Sequence, residues 1–157
     1  MTITVIGMPG PQGSKAFKGI HGGHAVLVES SKAVKPWREA VVYAAREELS
    51  KSGMLYCSEK LHCRGVAGPV AVEMIFTLPK PKSAKRGSVP SKRPDLDKLC
   101  RSTFDALVSA GAIEDDARCV RLFAAKVYPV FPRPILGFNG ALDVPGAVIR
   151  ITAVANA

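Results

Sequence analysis

The chain lacks any apolar run approaching the ~20 residues needed to span a bilayer, so no membrane segment is expected. Its start, Met1-Thr-Ile-Thr-Val-Ile-Gly7, carries no basic leader and reads as a strand, so no secretory signal is expected and the predicted location is the cytosol. Zinc-type cysteine pairs are missing as well. Cys57 and Cys63 bracket His62, but at a spacing unlike that of structural zinc sites, and no second pair follows. Cys57, Cys63, Cys100 and Cys119 are therefore expected as reduced thiols. Internal repeats are absent. Acidic residues are scarce, 13 against 22 lysines and arginines, which gives a formal charge of +9 and a pI near 9.7. That balance favours a polyanionic partner. An apolar fraction of 47% argues against global disorder, and 157 residues suit a single domain over 1–157.

The basic charge is concentrated. From Lys80 to Arg93 the chain carries Lys80, Lys82, Lys85, Arg86, Lys92 and Arg93 with no acid, among Pro79, Pro81, Pro90 and Pro94. A segment of this kind cannot bury itself, so a flexible or extended basic arm is expected over about 80–94. Its functional reading is a phosphate-gripping arm.

Periodicity predicts the elements. Residues 2–8 read as a strand, 15–18 and 24–28 as a hairpin, and 32–51 as a helix capped by Ser30 or Ser31. Val34, Trp37, Val41, Val42, Ala45 and Leu49 form the apolar stripe of that helix, with Trp37 as a core anchor. A polar connection over 52–68 leads to the clearest strand, 69–78, closed by Pro79. A second helix is expected at 95–109, burying Leu96, Leu99, Cys100, Phe104, Leu107 and Val108 and stopped by Gly111. Strands at 119–128 and 147–154 follow, separated by a Pro/Gly-rich connection. The order β-β-β-α-β-α-β-β predicts an α+β fold, a small mixed or mostly antiparallel sheet with two main helices packed on one face.

Against the basic background, six of the 13 acidic residues fall within residues 95–116: Asp95, Asp97, Asp105, Glu114, Asp115 and Asp116. Clustered carboxylates repel one another unless a cation or proton offsets them. Asp97, Arg101 and Asp105 follow i, i+4, i+8 spacing, which predicts one helical face opposite the apolar stripe. Asp116 precedes a strand, where it can join Asp95 and Asp97 around one cation. Magnesium accepts hard oxygen ligands and commonly takes only one or two carboxylates. Capping and macrodipole effects also favour Asp at a helix start, and Asp115-Asp116 can serve as a plain turn.

Arg93-Pro-Asp-Leu-Asp97-Lys-Leu-Cys-Arg101, Phe104-Asp-Ala-Leu107 and Ala110-Gly-Ala-Ile-Glu-Asp-Asp116 together resemble the RusA family of crossover-junction endodeoxyribonucleases. These are Holliday junction resolvases of bacteria and their phages. The likeness extends more loosely to the Gly7–Lys15 stretch, to the strand Val70–Leu78 and to Lys126. The resemblance implies a cytoplasmic, magnesium-dependent homodimer that binds four-way junction DNA and cuts two strands symmetrically. Asp95, Asp97 and Asp116 match the metal-binding catalytic carboxylates. Arg101 stands where the family usually has a catalytic Lys, and Lys98 where Asn is usual. DNA contacts are expected from Lys15, Lys82, Lys85, Arg86, Lys92, Arg93, Lys98 and Lys126. A nuclease for other branched DNA, or a catalytically weak junction-binding protein, is the alternative, and cleavage of a synthetic four-way junction separates the two classes.

Overall fold

A computed structural model describes residues 1–13, 15–29, 31–52, 65–85, 87–129 and 140–155. The elements are β1 (Thr2–Ile6), β2 (Lys15–His21), β3 (His24–Glu29), α1 (Val34–Lys51), β4 (Val70–Thr77), α2 (Leu96–Ala110), β5 (Cys119–Val127) and β6 (Gly146–Ala153). A 3-10 turn at Asp116–Arg118 precedes β5. The expected α+β order is thus observed. Most of the 52–68 connection, including Cys57, His62 and Cys63, lies outside the described residues, as do Arg86 and most of 129–146.

Four strands form a mixed sheet in the order β1-β6-β4-β5, and β2 and β3 form a separate hairpin. β4 runs antiparallel to β6 and parallel to β5. Parallel neighbours need a crossover, and α2 supplies it. Alternation along the strands turns Ile3, Val5, Val72, Met74, Phe76, Ile149 and Ile151 to one face, where they join the buried stripes of α1 and α2 in a single core. On the opposite face Glu73 and Arg150, directly cross-strand, pair at 3.0 Å.

α1 buries Val34, Trp37, Val41, Ala45 and Leu49 as its periodicity predicts, with Val42 half-buried. Its start differs from the expectation. The helix begins at Val34 with Ala33 as N-cap and no side-chain cap, while the Val34 amide donates to the Ser31 carbonyl at 3.3 Å. Pro36 explains the shift: proline lacks the N–H that an interior helical position must donate, so it belongs to the first turn.

α2 also departs in detail from its predicted stripe. Ser102, Thr103 and Ala106 are buried, whereas Val108 is 36% exposed. The two buried hydroxyls are satisfied. Ser102 Oγ donates to the Gly10 carbonyl at 2.6 Å, and Thr103 Oγ1 donates to the Leu99 carbonyl at 2.9 Å while accepting from Trp37 Nε1 at 3.1 Å. Small residues with paired hydroxyls let α1, α2 and the Gly7–Gly13 loop approach closely. Gly10 is required at this seam, because a Cβ there would collide with the Ala33 carbonyl oxygen. Gly111 ends α2 in the left-handed region at φ 77°, as a C-terminal glycine should.

Candidate active site

The crossover β4–α2–β5 lays α2 beside β5, and an open groove of about 560 Å³ runs between them. Leu96, Cys100, Phe104, Leu122 and Ala124 form its apolar walls, and Asp97, Arg101 and Asp116 line it with charge. The volume has room for a cation, several waters at about 30 Å³ each, and a phosphate. Asp97, Arg101 and Asp116 are all exposed, and among the described residues no ion pair consumes any of them.

The adjacent acid has a different task. Asp115 is the N-cap of the 3-10 turn, its Oδ1 accepting from the Ala117 amide at 2.8 Å. Glu114 pairs with Arg118 at 3.3 Å across the same turn. Both fix the approach to β5 and leave Asp116 to the groove. Asp105, expected on the same helical face as Asp97, lies in the cleft between α1 and α2 and pairs with Arg38 at 3.4 Å. Each i+4 step rotates a helical position by about 40°, so by Asp105 the row has drifted away from Asp97.

Asp95 lines a different groove from the other two acids. As N-cap of α2 it has extended backbone, ψ 138°, and makes no side-chain cap bond. Its carboxylate accepts from Lys98 Nζ at 2.9 Å. That hydrogen bond, reinforced by the charges of Lys98, Arg93 and Lys126, holds the Asp95 carboxyl below its ordinary value of 3.8. Asp95 and Lys98 line a second groove, of about 600 Å³, with Met8, Pro9, Pro11, Gly13, Ser31, Arg93 and Pro94. The first turn of α2 is therefore a ridge between two grooves. Among the described residues no three Asp, Glu, His or Cys side chains gather closely enough to hold one metal ion. The expected convergence of Asp95, Asp97 and Asp116 on a single cation is not present in this arrangement. A groove with two hard carboxylates, Asp97 and Asp116, is.

The expected DNA contacts are distributed as follows. Lys82, Lys85, Lys92 and Arg93 are exposed along the chain between β4 and α2. Pro90 is buried within it, so the segment is anchored partway. Lys15 opens β2. Lys98 is engaged by Asp95, and Lys126 Nζ donates to the carbonyls of Lys92 at 2.9 Å and Pro94 at 2.7 Å. Cys100, on the groove wall, has its thiol pushed up to about 11 by burial and then by the nearby Asp97 charge, so it stays protonated at neutral pH and is no nucleophile. The groove walls Leu122 and Ala124 were not legible as site residues, since only the pairing of β5 brings them to α2.

The groove thus sets two carboxylates and a guanidinium together on the surface of a basic α+β protein. The family model for endodeoxyribonuclease RusA matches residues 8–134, a span covering Asp95, Asp97, Arg101 and Asp116. The chain belongs to the RusA endodeoxyribonuclease family and is a nuclease. No curated protein matches the chain significantly. Among the described residues, no helix is long and apolar enough to cross a membrane.

Proposed function

We propose that this nuclease resolves four-way DNA junctions, with a homodimer cutting two strands symmetrically by magnesium-dependent phosphodiester hydrolysis. The observation that carries the reading is the meeting of Asp97, Arg101 and Asp116 in one groove of a protein of charge +9. The donor set fits a hard divalent cation: two carboxylates suffice when waters and phosphate oxygens complete the shell. Asp97 and Asp116 would hold Mg²⁺, with Asp95 as a third carboxylate once Lys98 releases it. Held by these carboxylates, such an ion would supply a lowered water pKa and charge neutralisation at the phosphate oxygens.

Arg101 serves the phosphate. A guanidinium keeps its charge at every relevant pH and offers a planar fork of donors, so it stabilises a phosphoryl oxygen and does not act as the proton acceptor. Lys82, Lys85, Lys92 and Arg93 supply the sequence-independent grip on the backbone. Support for a second copy comes from β5. It is an edge strand whose Val120 and Phe123 are 63% and 45% exposed, a surface that folded proteins normally cover.

The test is cleavage of a synthetic four-way junction with and without Mg²⁺, beside Asp97→Asn and Asp116→Asn. Each substitution removes a charge while keeping shape, so cleavage should collapse while junction binding persists or tightens as carboxylate–phosphate repulsion is relieved. A mobility shift with intact strands under all conditions would make the chain a junction-binding protein. Sizing should give about twice the 16.7 kDa chain mass.

A further inference from the structure

Lys126 is the one lysine of β5, near the strand's end and opposite Phe76 of β4. Side chains alternate along a strand, so Lys126 shares the side of β5 occupied by Leu122 and Ala124, which line the carboxylate groove. From there its ammonium reaches back to the carbonyls of Lys92 and Pro94, at 2.9 and 2.7 Å. Those carbonyls flank Arg93 and stand immediately before Asp95.

Beyond the burial of Pro90, this stretch of chain has no main-chain to main-chain bonding to fix it among the described residues. Pro90 and Pro94 have no N–H to donate. Among the described residues, no backbone–backbone hydrogen bond involves residues 89–94. The next amide–carbonyl bond belongs to α2 itself, where the Leu99 amide donates to the Asp95 carbonyl at 3.2 Å. An ammonium has three donors, and two of those of Lys126 are directed to this backbone. A charged donor bonding two carbonyls is roughly twice as strong per bond as a neutral pair.

We propose that Lys126 is a positioning residue: by clasping the Lys92 and Pro94 carbonyls, it sets where Arg93 and Asp95 stand relative to the groove, instead of contacting DNA phosphate. This assignment rests on the nuclease reading and assigns Lys126 a role distinct from the phosphate-gripping cations of the arm. The clasp ties β5, which follows directly from the Asp116 turn, to the chain segment that delivers Asp95. One strand thereby links both ends of the site.

The experiment compares Lys126→Met, Lys126→Gln and Lys126→Arg with the unaltered protein, each checked for folding by circular dichroism. Junction affinity is measured against salt in the absence of metal, single-turnover cleavage with Mg²⁺, and amide hydrogen exchange over residues 93–99 on free protein. In Lys126→Met, affinity should stay within about twofold and the slope of log affinity against log salt should not change, since no phosphate contact is lost. Cleavage should fall about 10–100-fold, the scale for removing the support of a site group. Exchange at the Asp95, Leu96 and Asp97 amides should quicken. Lys126→Arg, which retains charge and donors, should recover most of the rate, and Lys126→Gln, which retains a neutral donor, part of it. If Lys126→Met does not fold, Lys126→Gln carries the same comparison.

Two results overturn the assignment: a slope reduced by about 0.9 with weakened binding, which marks a phosphate contact, or unaltered exchange at residues 95–97. If the unaltered protein leaves junctions intact, the resolvase reading fails, while slope and exchange still decide what Lys126 does.

Discussion

Arg101 offers the sharpest separation of chemistry from scaffolding. It is exposed on α2, shares the groove with Asp97 and Asp116, and has no ion-pair partner among the described residues. Asp105, one turn further on, is paired with Arg38 at 3.4 Å instead. Arg101→Ala therefore removes no observed structural contact. Alanine is also the better helix former, so stability should change by no more than about 0.5 kcal/mol in either direction. Cleavage should respond very differently. Losing a preorganised charge at the transition state costs on the order of 100-fold or more, about 2.7 kcal/mol of barrier. Arg101→Lys should fall between, since it retains charge but loses the planar fork. The assay is single-turnover cleavage on a preformed junction, with affinity and urea denaturation measured separately. Raising Mg²⁺ should not restore Arg101→Ala, because the missing charge is not that of a metal ligand. Near-normal cleavage, or rescue by Mg²⁺, would refute the reasoning.

Three further outcomes follow from the same geometry. Ser102→Ala leaves the buried Gly10 carbonyl without its 2.6 Å donor and should destabilise the fold by about 1–3 kcal/mol at an unchanged urea m-value; a loss below about 0.5 kcal/mol would show the contact to be dispensable. Single alanine substitutions at Lys82, Lys85, Lys92 and Arg93 should each lower the salt slope of junction binding by about 0.9, whereas unaltered slopes would make the arm a mere connector. Cys100, with its thiol pushed up to about 11, becomes a thiolate only as pH climbs towards that value, so iodoacetamide should leave it unlabelled at neutral pH; rapid labelling of its peptide, read by mass spectrometry, would contradict its burial.

The elements of the fold were legible because their signals are local. The stripe Val34-Trp37-Val41-Ala45-Leu49 and the apolar run of β4 repeat at the periods of helix and strand, and Gly111 punctuates α2 where a left-handed residue is needed. Other features depend on what a residue meets across the molecule. Ser102 and Thr103 stand outside the apolar stripe read from the sequence, yet they are buried because Gly10 and Trp37 bring partners from elements far along the chain. Ser31 looked like a cap, but Pro36 sets the start of α1 and the Ser31 main chain does the bonding.

The same division runs through the site. Asp97 and Arg101 are one helical turn apart, so their sharing a face follows from the helix alone, and Asp116 joins them because the crossover returns the chain beside α2. Asp95 is only two positions before Asp97, and a strand start beside the helix start was expected to bring both to one cation with Asp116. Two positions in a helix are about 200° apart, and Asp95 stands on extended backbone before the helix begins. Asp95 and Asp97 thus line different grooves, and Lys98, three positions on, is the residue that α2 presents to Asp95. Position 98, where the resemblance expects Asn, here carries an ammonium that pairs with Asp95 at 2.9 Å.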